Sequence, residues 1–216
     1  MATVQNVLDA TMVRYMDPDK TTWADTELLT IVQKAVDYIQ QILINRGDVT
    51  ATKTTHFHTV DGTEAYAFSG METPVTDFIA MYQGSKIDTT GMWISDSFLT
   101  PCRYEDRVAY VSAGESEPEK YYITSTGFGM LPVPDTAYQV DFMYYYKQPA
   151  LLVGTSMPFN DVCNLAIGTF VDAMAAARNE QDISNITQLY NELELKAIGV
   201  ISKRTPIRPV MRNRRR

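Results

Sequence analysis

The side chains best suited to bind a metal or to move a proton are the two histidines of the chain, His56 and His58. Two positions apart on a strand, they project from the same face, a geometry found in metal sites. A site needs a third ligand, and the nearest carboxylates in the sequence are Asp61 and Glu64. Because nothing fixes these carboxylates beside the histidines, the pattern favours two polar residues on a solvated strand face, and we expect no bound metal.

Nucleophilic catalysis has little support in the sequence. A catalytic serine requires a base held against it, and no Gly-x-Ser-x-Gly turn occurs. Cys163 falls among the apolar positions of a predicted helix, where burial is the usual explanation, and Cys102 lies in no catalytic signature. Gly127-Phe128-Gly129 follows one predicted strand and precedes another, so we interpret it as a turn and not as a phosphate-binding loop.

The acidic side chains are equally poor candidates for catalysis. Asp17 and Asp19 lack the glycine and the distal glutamate of a calcium-binding loop. Glu115, Glu117 and Glu119 occur in a polar segment, where water keeps carboxylates ionised and unsuited to act as general acids. The sequence therefore predicts that the protein is not an enzyme and has no cofactor.

The charge is divided between an acidic body and a basic tail. Residues 203–216 carry seven basic side chains and no acidic one, whereas the other 202 residues carry 12 basic and 26 acidic side chains. Surfaces of opposite sign indicate different neighbours. Pro206 and Pro209 prevent a continuous helix, so we expect the tail to be extended. Its apolar residues favour a docking segment over a plain polycation, and the alternative is a solvated terminus with no partner. The candidate partner-binding residues are Lys203, Arg204, Ile207, Arg208, Val210, Met211, Arg212, Arg214, Arg215 and Arg216.

The composition is that of a folded domain, with 45% apolar and 21% charged residues. No stretch of about 18 apolar residues occurs, so no membrane-spanning helix is predicted. The first residues lack the basic and apolar regions of a secretory signal, and two cysteines cannot form a disulfide scaffold. These features predict reduced thiols in the cytosol and no membrane partner.

The first two thirds of the chain change from helical to strand-like periodicity. Apolar residues recur at three-and-four spacing over residues 4–15 and 28–43, and Gly47 can end the second helix in a left-handed conformation. β-branched and aromatic residues then predominate, while residues 85–106 fit no element. Strand-like runs lie at 50–59, 64–68, 75–82, 107–112, 120–125 and 138–146.

Helical periodicity returns near the C-terminal end. Asn160 or Asp161 can cap one helix, and Asp182 or Ser184 can cap another that ends at Gly199. Because a β-rich region separates two pairs of helices, we predict an α+β fold: a small bundle of about four helices with an inserted antiparallel β domain and an extended C-terminal arm. The predicted regions are an N-terminal helical part at 1–49, a β-rich insertion at 50–150, a C-terminal helical part at 151–202 and the basic tail at 203–216.

Tyrosine is unusually abundant, with thirteen in the chain. The runs Tyr121-Tyr122 and Tyr144-Tyr145-Tyr146 place rings on both faces of their strands. One face fills the core, and the other meets solvent, a loop or another subunit. Contact between subunits fits better than stacking of single-stranded nucleic acid, which requires a cationic groove, because residues 50–150 are rich in acidic side chains.

Several segments, taken in order and spacing, resemble those of head-to-tail adaptor proteins of tailed bacteriophages, also described as head-tail connector or head completion proteins. The resemblance covers most of the chain and is weakest over residues 85–118. The segments that carry it are TTWADTELLTIVQKAVDYI, TVDGTEAYAFSG, YYITSTGFGMLPVPDTAYQVDFMYYYKQPALL, the alanine-rich helix at 160–178 and LYNELELKAIG.

The resemblance implies a structural protein of the virion at the head–tail interface, assembled in the host cytoplasm. Members of that family form a ring, usually of about twelve copies, beneath the portal protein. The ring extends the channel through which DNA passes without specific binding, and it supports a downstream tail or nozzle protein. The family has no active site, and its C-terminal arm reaches onto the portal. The alternative is a nucleic-acid-binding protein that engages phosphates through the basic arm.

Overall fold

The computed structural model describes residues 3–14, 24–82, 91–94, 97–111, 114–159, 161–179 and 186–204. The chain divides into two compact units. The first, called the helical unit, comprises residues 1–46 and 148–216, and the second, called the β unit, comprises residues 47–147. Helices occur together with sheets that are largely antiparallel, so the predicted α+β class is confirmed.

Five α-helices occur in the described residues, and four of them lie in the helical unit. The longest, α2, buries an apolar stripe that includes Leu28, Val32, Ile39 and Leu43, as its periodicity predicts. Gly47 follows with φ of 67°, so the expected left-handed turn after the helix is confirmed. The helices are α1 (Val4–Arg14), α2 (Asp25–Asn45), α3 (Arg107–Val111), α4 (Asp161–Asn179) and α5 (Ile186–Arg204).

The last helix is longer than the sequence predicted. Gly199 lies inside α5, which continues to Arg204, so the prediction that Gly199 ends the helix is wrong. A glycine in a helix interior costs roughly 1 kcal/mol relative to alanine, a penalty that packing can offset. Leu193 is buried, and the Tyr190 ring lies between two other rings of the helical unit, those of Tyr38 and Phe170.

The segment that follows the β unit is held to the first two helices by hydrogen bonds of its backbone groups. The side-chain oxygens of Gln40 and Gln33 on α2 accept the N–H groups of Gln148 (3.2 Å) and Leu151 (2.8 Å). The N–H of Val4, at the start of α1, donates to the carbonyl of residue 155 (3.0 Å). Polar side chains of α2 therefore supply partners for a segment that has no regular structure of its own.

The β unit contains two sheets. One has the order β1-β9-β4-β5, with β3 also paired to β9, and the other has the order β2-β8-β7-β6. All pairs are antiparallel except β6–β7, so the expectation of antiparallel pairing holds with one exception. The strands are β1 (Thr52–His58), β2 (Ala65–Ala67), β3 (Phe78–Met81), β4 (Met92–Ile94), β5 (Ser97–Phe98), β6 (Thr100–Pro101), β7 (Lys120–Ile123), β8 (Gly127–Leu131) and β9 (Gln139–Tyr146).

Both sheets contribute to one aromatic core. Phe142 of β9 is fully buried, with ring centroids 6.3 Å from Phe57, 5.8 Å from Phe128 and 5.5 Å from Tyr144. Alternate residues of β9 therefore face the core, as the sequence pattern predicted. The remaining buried members include Met71, Val75, Met92, Tyr121, Met130 and Val140.

Two sequence interpretations in the β unit are wrong. The run at 107–112 is not a strand, because residues 107–111 form α3, whose Arg107 and Tyr110 side chains meet β7. Gly127-Phe128-Gly129 is not a turn but part of β8, a central strand of its sheet. A Cβ added at Gly129 would fall on the Tyr122 ring, so glycine allows β8 to approach that side chain closely.

Candidate interaction surfaces

The basic tail begins at the end of α5. Lys203 and Arg204 are the last residues of that helix by their backbone, so an extended arm can begin only after Arg204. The other candidate partner-binding residues lie outside the described residues: Ile207, Arg208, Val210, Met211, Arg212, Arg214, Arg215 and Arg216. Their role in binding a partner remains a prediction from charge and sequence.

Aromatic contacts hold α5 in the helical unit, and with it the start of the tail. The Tyr190 ring lies 4.9 Å from the rings of both Tyr38 and Phe170, measured between centroids. The Tyr38 hydroxyl donates to a carboxylate oxygen of Glu194 at 3.2 Å. Burial and the adjacent Glu194 charge raise the pKa of Tyr38, so the hydroxyl stays protonated and remains a donor at neutral pH.

The histidines contact a carboxylate to which their spacing in the sequence does not point. His56 Nε2 lies 3.1 Å from one oxygen of Glu72, and His58 Nδ1 lies 3.0 Å from the other. Asp61 makes no contact with them, and Glu64 instead accepts the hydroxyl of Tyr122 at 2.6 Å. Both histidine side chains are about half exposed. Among the described residues, no three histidine, cysteine or acidic side chains form a metal-binding group.

The outer face of β7 carries a cluster of aromatic and charged side chains. The guanidinium of Arg107 lies over the Tyr104 ring, 4.5 Å from its centroid, and the Tyr104 and Tyr122 rings meet edge to face at 5.3 Å. Burial, followed by the hydrogen bond to Glu64, raises the pKa of Tyr122 to about 12. Since the phenol stays neutral at physiological pH, the cluster offers a contact surface and no activated nucleophile.

Both cysteines are reduced and at least partly buried. Cys163 is buried in α4, as the sequence predicted, and Cys102 is partly buried after β6. Burial raises the pKa of the Cys102 thiol despite the nearby charge of Lys120. A protonated thiol is a poor nucleophile, so the surroundings of Cys102 do not favour catalysis.

The β unit is acidic, and the carboxylates of its polar segment at 114–119 are solvated. Its residues 47–147 include 14 acidic and six basic side chains. Glu115, Glu117 and Glu119 are all exposed, as expected for a polar segment. Exposed apolar side chains occur in both units, among them Phe98 and Val108 in the β unit and, in the helical unit, Leu165 and Leu195. Such surfaces suit contact with proteins better than contact with phosphates.

A family model described as SU10 adaptor protein matches residues 2–215. The chain belongs to the SU10 adaptor protein family. It is therefore a structural adaptor protein of a bacteriophage, a virion component at the head–tail junction that associates with other head and tail proteins. The resemblance found in the sequence is confirmed at this level. No curated protein matches the chain.

The structural role of the SU10 adaptor family agrees with the expectation that the protein is not an enzyme. Within the described residues, no helix is long and apolar enough to cross a membrane. For a family of adaptors, the residues that matter are those that contact neighbouring proteins. Sequence patterns identify the basic tail as one candidate, but give no signal for the cluster of Tyr104, Arg107 and Tyr122, which is assembled only by folding.

Proposed function

We propose that the protein forms a closed ring between the portal protein and a downstream tail or nozzle protein, and that the ring extends the channel for DNA. The observation that supports this function best is the division of charge between an acidic body and a basic tail, in a member of an adaptor family. The ring would contain about twelve copies, as the sequence resemblance implies. It would assemble in the host cytoplasm before it becomes part of the virion.

A ring requires each copy to present two different surfaces to its neighbours, and closure ends growth. Mass measurement of the native assembly, alone and mixed with portal protein, tests the proposal. We expect a single closed species of about twelve copies. A protein that stays monomeric both alone and with portal would contradict the ring.

The acidic body would let DNA slide, because carboxylates repel phosphates, whereas a basic lining would retain DNA through release of counterions. A chain that ends at Arg204 keeps α5 whole and removes most of the tail's charge. We expect this chain to have no measurable affinity for duplex DNA at physiological salt. Salt-sensitive micromolar binding would contradict a passive channel.

The tail would bind the portal through contacts between arginines and carboxylates, with apolar side chains in shallow sites on the partner. Each exposed ionic contact contributes only about 0.2–1 kcal/mol, so the arm would act through several contacts on every copy in the ring. Replacement of the arginines by glutamine should weaken binding to portal. A matched control replaces the same number of exposed acidic residues in the β unit. The arginines are Arg208, Arg212, Arg214, Arg215 and Arg216.

A second candidate function is nucleic-acid binding through the same tail, and the run of arginines at its end favours it. The two functions differ in their dependence on salt and in their partner. A steep loss of affinity for free DNA with rising salt, together with no affinity for portal, would favour the second function. Binding to portal by the full-length chain, with loss in the glutamine variant, would favour the first.

A further inference from the structure

Strand β1 lies at an edge of the five-stranded sheet, with β9 as its neighbour. The hydrogen bond from the N–H of Thr59 to the carbonyl of Tyr138 (2.9 Å) shows which alternate residues of β1 direct their backbone groups towards β9. By that alternation, the N–H and C=O groups of Thr54, His56 and His58 point away from β9. Within the described residues, these outward groups form no backbone hydrogen bond.

Residues 71–77, here called the strap, contact both faces of this edge strand. Glu72 contacts His56 and His58, whose side chains alternate with the core residue of β1 and therefore lie on the outer face of the sheet. Met71, the residue before Glu72, is buried in the same core cluster as Phe57, whose side chain lies on the opposite face of β1. Because these two neighbouring residues of the strap reach opposite faces, the strap crosses the open edge of β1 beside His56 and His58.

The strap is held by side chains and not by a strand ladder. Met71 and Val75 are buried in the core of the β unit, and between them Glu72 and Pro74 are exposed. No backbone hydrogen bond joins the strap to β1 in the part of the chain that the structure describes. Pro74 has no N–H to donate, so this part of the strap cannot extend the sheet. The strap shields the edge without completing its hydrogen bonding.

We propose that the strap is a removable cover that prevents β1 from pairing with β1 of a second copy. Open strand edges are templates for pairing between chains. If two β1 strands paired antiparallel with the two His56 residues opposite each other, Thr54 of one copy would lie opposite His58 of the other. No two permanently charged side chains would then face each other. That contact would be isologous, unlike the heterologous contacts of a closed ring, so the cover would also protect correct assembly.

The first test uses Glu72→Ala, which removes both histidine contacts, with Glu117→Ala as a control in which an exposed carboxylate outside the strap is lost. Sedimentation velocity over a range of protein concentrations measures self-association. Loss of exposed contacts of this kind increases the open population about fivefold. Because both copies must be open to pair, Glu72→Ala should associate beyond the wild-type state at about 25-fold lower concentration. Identical behaviour of Glu72→Ala, Glu117→Ala and wild type would overturn the proposal.

A second pair of variants identifies the surface and protects the test against misfolding. The double change of His56→Ala and His58→Ala releases the strap without altering it, and must reproduce the association. Thr54→Pro removes an outward N–H but leaves the bonds to β9, so adding it to Glu72→Ala should restore the wild-type state. Circular dichroism checks that each variant is folded. Association that persists with Thr54→Pro would show that another surface is responsible and would overturn the proposal.

Discussion

The helical unit and the β unit tolerate added atoms to different degrees. In the helical unit, a Cβ placed on Gly168 or Gly199 would meet no atom within 4 Å. In the β unit, a Cβ on Gly129 or Gly91 would overlap a tyrosine ring or a backbone carbonyl. Interlocking rings and close strands leave little room in the sheets of the β unit, although Gly70 and Gly114 outside its strands have space for a Cβ. The helical unit depends on apolar helix faces that adapt more easily. The units should therefore respond differently to the same kind of perturbation.

Alkaline pH should have the largest effect, and it should act on the β unit first. Burial, as the main cause, raises the pKa values of Tyr121, Tyr122, Tyr144 and Tyr145 to about 12. The unfolded chain ionises near pH 10, before the folded protein does, so the stability from these neutral phenols is complete below pH 10 and is lost as the pH rises towards 12. We expect the near-ultraviolet circular dichroism of the buried tyrosines to disappear before the helical signal.

Tyrosinate absorbance that rises near pH 10 for all thirteen tyrosines, while the fold is retained, would contradict this prediction. That result would mean that the rings of the β unit are accessible to solvent. A matched reference is free tyrosine in the same buffers.

Truncation of a core ring should be the next largest effect. Phe142→Ala removes a fully buried ring in contact with three others and should destabilise the β unit by about 3–5 kcal/mol. Phe170→Ala in α4 removes one ring contact, with Tyr190, and should fall at the lower end of the same range. Chemical denaturation of each variant measures the difference. Equal losses would show that the two cores are packed equally tightly.

Much of this fold can be predicted from the sequence because its signals are local. The apolar period of α2 and the alternation of β9 each specify an element and its buried face. α3 could not be found this way, since its Val-Ala-Tyr-Val sequence favours a strand, whereas in the fold Arg107 and Tyr110 of the helix contact side chains of β7. Long-range contacts override local preference there.

Replacement of a glycine by alanine should destabilise the β unit but stabilise the helical unit. Gly129→Ala forces a Cβ onto the Tyr122 ring and should cost about 1–3 kcal/mol. Gly199→Ala lies within a helix with free space around the added atom and should stabilise by about 0.4–1 kcal/mol. Thermal denaturation followed by circular dichroism measures both changes. Destabilisation by Gly199→Ala would show that α5 is packed as closely as β8.

The candidate surfaces are less predictable than the fold. The tail is visible from charge alone, because seven basic side chains without an acid stand out in an acidic chain. The partner of the histidines is not visible, since Glu72 is 14 residues beyond His58 and only the path of the strap brings it there. Charge is a property of composition, but a contact across an edge depends on tertiary structure.

Removal of a single tyrosine hydroxyl should change the stability least. It also allows the closest comparison of the units, because each has a tyrosine that donates to a carboxylate. Tyr38 on α2 and Tyr144 on β9 each donate to a carboxylate at 3.2 Å, to Glu194 and Asp77 respectively. Tyr38→Phe and Tyr144→Phe leave both rings in place, so each should cost about 0.5–1.5 kcal/mol. Because Tyr144 is almost fully buried, water cannot replace its lost bond as well as it can near the half-buried Tyr38. Denaturant titrations should therefore show the larger loss for Tyr144→Phe, and an equal or larger loss for Tyr38→Phe would contradict this order.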